Sequence, residues 1–146
     1  MNTQSKYLKG LLVVLFLSVS VSNLLAQEQV AAEKVISSQA LDGKIYSGQN
    51  GSKGEPADHD DEFIFKEGMF RSTSCDKYGF TEGQYESTET DGIIYFKALT
   101  ASPSHGQMSW EGKSDGASLE GTFVWTKERW YWNIRKEYWF NAELKQ

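Results

Sequence analysis

The sequence predicts an all-β protein: one small antiparallel up-and-down β-barrel of about eight strands, preceded by an export signal. Three observations carry this reading. From Leu41 onward apolar and polar residues alternate with a period of two, and turn-forming residues recur at short intervals. Thirteen glycines against two prolines punctuate a chain that is 14% aromatic. Alternation of this kind marks half-buried strands, and closely spaced short strands mark a sandwich or barrel. Few prolines and many rings also exclude a disordered chain.

The chain opens MNTQSKYLKGLLVVLFLSVSVSNLLAQEQ. Lys6 and Lys9, the apolar run from Leu11 to Val21 and the small residues that follow have the layout of a secretory signal peptide. Cleavage is expected after Ala26, with the Ser20/Ser22 pair as an earlier alternative. The apolar run is shorter than the roughly 18 residues of a spanning helix, so no stable membrane insertion is expected after cleavage. No cysteine lies near the cut to carry a lipid anchor. Loss of residues 1–26 removes two lysines and no acid, taking the formal charge from −5 to −7. Such a surface repels phosphate backbones, which argues against nucleic acid as a partner. The expected organisation is a signal peptide at 1–26, a leader or tether at 27–40 and a single barrel domain at 41–146. The product is exported, to the periplasm or the medium, as a monomer.

Within the domain, Ile45 in KIYSG opens a first strand and QNGSKGEPADHDD is read as a long polar loop. DEFIFK and MFRSTS form a hairpin turned at Glu67-Gly68, with Phe63 and Phe65 on one face. GQYESTE and IIYFKALT form a second, turned at Asp91-Gly92; GQMSWEGKS and ASLEGTFVWT form a third, turned at Asp115-Gly116. RKEYWFNAEL closes the chain. The pattern points Ile94, Phe96 and Ala98 inward, then Met108, Trp110 and Gly112, then Leu119, Gly121, Phe123 and Trp125, then Tyr138, Phe140, Ala142 and Leu144. Glu111, Lys113, Glu120, Thr122, Glu137, Asn141 and Glu143 face water. Closing the sheet on itself removes the edges that an open sheet exposes. Gly112 and Gly121, inward on adjacent strands, favour a strongly curved barrel over a sandwich and mark a sharp bend or the close approach of a ligand or another backbone.

Three clusters are candidates for chemistry. Cys75, in SCDKYGF, is the only cysteine. A reactive thiol wants a histidine or a helix N-terminus beside it, and His59 and His105 lie in separate loops with no motif around them. The expected role is therefore packing: Cys75, Tyr78 and Phe80 form a structural plug at one barrel end, with Gly79 taking a backbone angle that other residues resist. The run Asp58-His59-Asp60-Asp61-Glu62 is the best metal candidate, but adjacent side chains diverge and match no calcium loop, so a solvated loop and no metal is the expectation. The third cluster is aromatic: Trp130-Tyr131-Trp132 before the last strand, and Tyr138-Trp139-Phe140 within it, with Trp139 facing out. Rings at a barrel mouth stack on a ligand, line a cavity, rest on a membrane or cap the barrel end. No hydrolase, phosphate-loop or metalloprotease motif is present in the sequence.

The stretches SGQNGSKGEPADHDDEFIFKEGMFRSTSCDKYGF, YFKALTASPSHGQMSWEG and LEGTFVWTKERWYW, with KEYWFNAEL, resemble uncharacterised exported bacterial proteins with a lipocalin-like (calycin-like) barrel, over residues 41–146. The resemblance implies fold rather than activity. LEGTFVW is also similar to a strand of avidin-type barrels, without the surroundings of a biotin site. The Gly-x-Trp of true lipocalins is missing, with Asp42-Gly43-Lys44-Ile45-Tyr46 in its place, which argues against a typical open lipocalin cup.

Two functions are then expected. The first is a binding module that holds an apolar or aromatic-stacking small molecule, with Phe96, Trp110 and Trp125 lining the interior, Trp130 and Trp132 at the rim, and Tyr138 beside them. The alternative is an envelope protein with a filled barrel that works through its surface. Neither uses a cofactor or is an enzyme.

Overall fold

The computed structural model describes residues 39–145; residues 1–38, on which the expected signal peptide and most of the expected leader fall, and Gln146 lie outside the described residues. Eight strands follow one another: β1 (Ile45–Ser52), β2 (His59–Lys66), β3 (Met69–Ser72), β4 (Gly83–Thr90), β5 (Ile93–Ser102), β6 (Gly106–Ser114), β7 (Ser118–Lys127) and β8 (Ile134–Leu144). A 3₁₀ helix, Thr73–Tyr78, joins β3 to β4. Each strand pairs antiparallel with the next, and β8 returns to β1, so the sheet closes as an up-and-down barrel compatible with a calycin-like fold.

The two ends are built differently. The turns at 67–68, 91–92 and 115–117 share one end. Glu67 and Asp91 both have φ of 53°, and the glycines after them 76°, the paired left-handed backbone of a tight hairpin turn. Residues 39–43 fold across this end: Leu41 is fully buried, and the Asp42 carboxylate accepts the Gly68 N–H at 3.0 Å and the Tyr85 hydroxyl at 2.8 Å. The longer connections, 53–58, 73–82, 103–105 and 128–133, lie at the other end.

Between the ends, cross-strand register stacks the interior in rows. One row runs Phe96, Gly112, Gly121, Phe140 across β5 to β8. A Cβ on Gly121 would meet Phe140 Cζ at 2.6 Å and the Glu111 carbonyl oxygen at 2.2 Å; one on Gly112 would meet Phe96 Cε1 at 2.6 Å. The glycines are small because the flanking rings lie over them. The next row runs Ala98, Trp110, Phe123, Tyr138. Phe63, Phe65 and Phe70 of β2 and β3 meet these rows from the opposite wall, with ring centroids 5.0 Å apart for Phe63–Phe140, Phe65–Phe96 and Phe70–Trp110. At this level the lumen is filled.

The structure corrects three expectations. The polar stretch 49–61 is mostly strand, leaving a connection of only 53–58. Its inward residues Asn50 and Asp61 are polar and bond each other at 2.9 Å, so no apolar alternation announces the strands. β3 ends at Ser72 because the chain then coils into the 3₁₀ helix. Leu144, expected inward, is 40% exposed at the lower barrel margin.

Two outcomes follow from this packing. Gly121→Ala forces Phe140 and the facing backbone apart, and is expected to lower stability by about 1–3 kcal/mol, read as a lower denaturation midpoint at unchanged slope. Burial raises the pKa values of Tyr46, Tyr85 and Tyr138, that of Tyr85 further through the neighbouring Asp42 carboxylate. Since the folded state keeps these protons while the unfolded chain releases them near the ordinary value of 10.0, stability is lost as pH rises past that value. Thermal unfolding should show a Tm that drops steeply in alkali, and less steeply in Tyr85→Phe.

Candidate functional site

Above the filled rows, the end with the long connections holds a cavity of about 220 Å³. Its floor and one wall come from the row just described and the one above it: Phe123 from β7 and Tyr138 from β8, then Met108 from β6 and Trp125 from β7. The facing wall is the 3₁₀ segment, with Cys75, Tyr78 and Phe80; Asn50, His59, Ser74 and His105 complete the lip.

The aromatic wall is a direct product of register. Trp110, Phe123 and Tyr138 are mutual cross-strand partners and stack in sequence, Trp110–Phe123 at 4.1 Å and Phe123–Tyr138 at 4.7 Å with planes 5° apart. Trp110 is buried beneath the cavity, its indole N–H donating to Thr100 Oγ1 at 3.0 Å. Tyr138 is the upper member, half-buried, with burial holding its hydroxyl pKa above the ordinary value. One row higher, Trp125 donates its indole N–H to the His105 carbonyl at 2.6 Å, and Lys136 Nζ lies 6.0 Å from its ring centroid. Indoles tied at one edge by hydrogen bonds and a tyrosine ring held by stacking present a preformed flat surface.

The facing wall is positioned by a buried carboxylate. Asp61 is only 4% exposed and accepts from Asn50 Nδ2 at 2.9 Å, Ser72 Oγ at 2.5 Å, the Ser74 N–H at 2.9 Å and Ser74 Oγ at 2.8 Å. With Thr73 Oγ1 at 3.4 Å, five neutral donors thus replace a cation, which is what lets a charge stay buried. The same bonds hold Ser74 to β2 as the chain leaves β3 at Ser72 and enters the helical turn at Thr73. All of the run 58–62 except Asp58 is therefore strand, with one inward carboxylate: Asp61 anchors the wall, and Asp58, just before the strand, meets His59 Nδ1 at 2.7 Å.

Cys75 sits in this wall, buried, with Sγ 3.2 Å from Ser72 Oγ and 3.6 Å from Met108 Sδ. Burial pushes its thiol pKa up. The fold brings His59 and His105 to the same lip although they are far apart in sequence, yet His59 pairs with Asp58, and His105 Nδ1 meets Ser104 Oγ at 2.8 Å. The thiol's partners are instead hydroxyls and a thioether.

Of the residues singled out in the sequence, Trp125, Tyr138, Cys75, Tyr78 and Phe80 meet at this cavity. Phe80 is buried while Tyr78 stands 41% exposed against His105, 5.5 Å between rings. Phe96 and Trp110 belong to the packed core below. Trp130 and Trp132 lie in the 128–133 loop, 95% and 58% exposed, and do not line the cavity. Trp139 faces outward, its indole bonded to the Glu55 carbonyl at 3.0 Å. Sequence reasoning missed Asn50, Asp61, His59 and His105 as neighbours of the site. The only signal for Asn50, His59 and Asp61 was polar residues at inward strand positions, and His105, in the 103–105 connection, had none.

A larger hollow of about 810 Å³ lies on the outer face over β4 to β8. It is open to solvent, and four of its five charged residues are paired, Lys97 with Glu111 and Lys113 with Glu120 at 3.0 Å each. Comparison with family models, curated proteins and solved structures finds no match for this chain.

The geometry sets the behaviour of the thiol. Cys75 in the folded protein should react with a bulky aromatic disulfide reagent at neutral pH far more slowly than in the unfolded chain, because the thiol is buried and its pKa is raised. Asp61→Asn removes the charge from the donor cluster and turns an amide toward the serines; it should cost about 2–3 kcal/mol and expose Cys75 to labelling far faster.

Proposed function

We propose that this chain is an exported, periplasmic or secreted, calycin-like barrel that binds a small apolar or aromatic molecule at its mouth, as a monomer and without catalysis. The cavity at the open end carries this reading. Its walls are Tyr138, Trp125, Tyr78, Phe80 and Met108, and its polar atoms sit at the lip, the arrangement by which pockets orient an apolar ligand. The Trp110–Phe123–Tyr138 stack ends at the cavity, so a planar ligand against Tyr138 would extend an existing series of rings.

The volume limits the ligand. Drug-sized molecules take cavities of roughly 300 Å³ and more, whereas benzene fits one of about 150 Å³. A space of about 220 Å³ suits one or two fused rings, not a fatty acid or a sterol. A binding role is favoured over catalysis because burial holds the cavity's only thiol in its neutral form.

The filled rows below the cavity support the alternative, a barrel that acts only through its surface. Native mass spectrometry of the exported protein from its own host, with titration of the purified protein against indole and 2-naphthol, separates the two. A co-purifying small molecule or a saturable change in tryptophan fluorescence supports binding. Trp125→Ala and Tyr138→Ala should each weaken that affinity about tenfold, the worth of one lost aromatic contact. A bare protein indifferent to both probes would reject the binding reading.

A further inference from the structure

The β7–β8 connection carries a surface that the cavity does not use. Trp130, Tyr131 and Trp132 are 95%, 55% and 58% exposed, and they touch one another, with ring centroids 4.7 and 5.4 Å apart. Burying large rings is worth kilocalories, so three consecutive exposed ones form a contact surface and not a fragment of core.

The charge around the rings indicates what they meet. Segment 127–136, KERWYWNIRK, holds four basic residues and one acid in a chain whose formal net charge is −5. Arg135 is engaged by Glu137, but Lys127, Arg129 and Lys136 are in no ion pair among the described residues. Lys77, its Nζ 5.0 Å from the Tyr78 ring centroid, stands at the same end. Of the acids at this end, Asp76 is held by Arg71 and Glu137 by Lys53 and Arg135, while Glu55, Glu82 and Glu128 are in no ion pair among the described residues, so the positive surplus is confined to segment 127–136 itself. Glu137 is drawn down to about 2 by those two cations, so it stays ionised and engaged at neutral pH. The tip of the hairpin therefore carries a surplus of positive charge beside its exposed rings.

We propose that the 128–133 loop docks this barrel onto an anionic phospholipid bilayer. Trp and Tyr sit at the boundary between headgroup and acyl chain because they are apolar in body and polar at one edge, and Lys and Arg beside them are drawn to the negative surface. Two signals are needed for a stable peripheral contact, and the loop has both. A bilayer also accepts a convex cluster of rings without a complementary pocket. Because the loop and the cavity share one end of the barrel, docking sets the mouth of the cavity at the lipid surface. The proposal does not depend on the cavity being occupied.

The test uses the full chain and vesicles containing brominated phospholipid, which quenches only tryptophans that enter the bilayer. All five tryptophans lie between Trp110 and Trp139, so contact by the N-terminal segment adds no signal. Wild type should be quenched on anionic vesicles, and Trp130→Ser/Trp132→Ser should lose most of that quenching while keeping the near-ultraviolet dichroism of the folded barrel. Lys127→Gln/Arg129→Gln/Lys136→Gln should need on the order of tenfold more lipid, and added salt should weaken wild type similarly. Equal quenching of wild type and the tryptophan variant overturns the proposal, as does indifference to anionic lipid. Concentration-dependent self-association without quenching would overturn it too, assigning the loop to a contact between protein copies.

Discussion

Closing eight strands into a ring fixes how much room lies inside, and every other feature of this protein adjusts to that width. The Phe96–Gly112–Gly121–Phe140 row shows the constraint most directly. Two rings leave space for no side chain between them, and adjacent strands answer with two glycines whose missing Cβ atoms are replaced by ring atoms. Trp110, Phe63, Phe65 and Phe70 complete the filling, so the middle of the barrel is a solid core instead of a lumen.

The same constraint places the cavity. At the lower end, Leu41 and the Asp42 bonds to Gly68 and Tyr85 close the barrel beneath the tight turns. At the upper end the strands outrun the core, and the covering segment is held to one side by Asp61 instead of lying across the opening. A buried carboxylate held by an amide, a backbone N–H and three hydroxyls is an expensive way to end a strand, because losing any donor leaves charge without solvent. It earns its place by holding Cys75, Tyr78 and Phe80 as a wall. The thiol is then a packing atom among Ser72 and Met108, with its proton kept on by burial.

The aromatic residues at this end divide into an inward and an outward group. Trp125 and Tyr138 have their polar edges or faces tied to protein and present flat apolar surface to the cavity. Trp130 and Trp132 each meet the ring of Tyr131 and stand exposed, with Lys127, Arg129 and Lys136 in the same segment. One hairpin thus supplies both, through the alternation of β7 and β8 on one hand and the loop that breaks it on the other.

Alternation and turn chemistry made much of the barrel legible from residues alone. The period of two from β4 to β8, the turns at Glu67-Gly68 and Asp91-Gly92 and the inward positions of Phe96, Trp110, Phe123 and Phe140 are local properties of backbone geometry, and local sequence suffices to set them. Asn50 and Asp61 were illegible because an inward polar residue is read as a loop until its partner is known, and that partner is eleven residues away on another strand. The gathering of Cys75, His59, His105, Trp125 and Tyr138 around one cavity was decided only by the closed tertiary structure. So was the filling over Gly112 and Gly121, since a glycine in a strand leaves space without saying whether a ring or a ligand takes it.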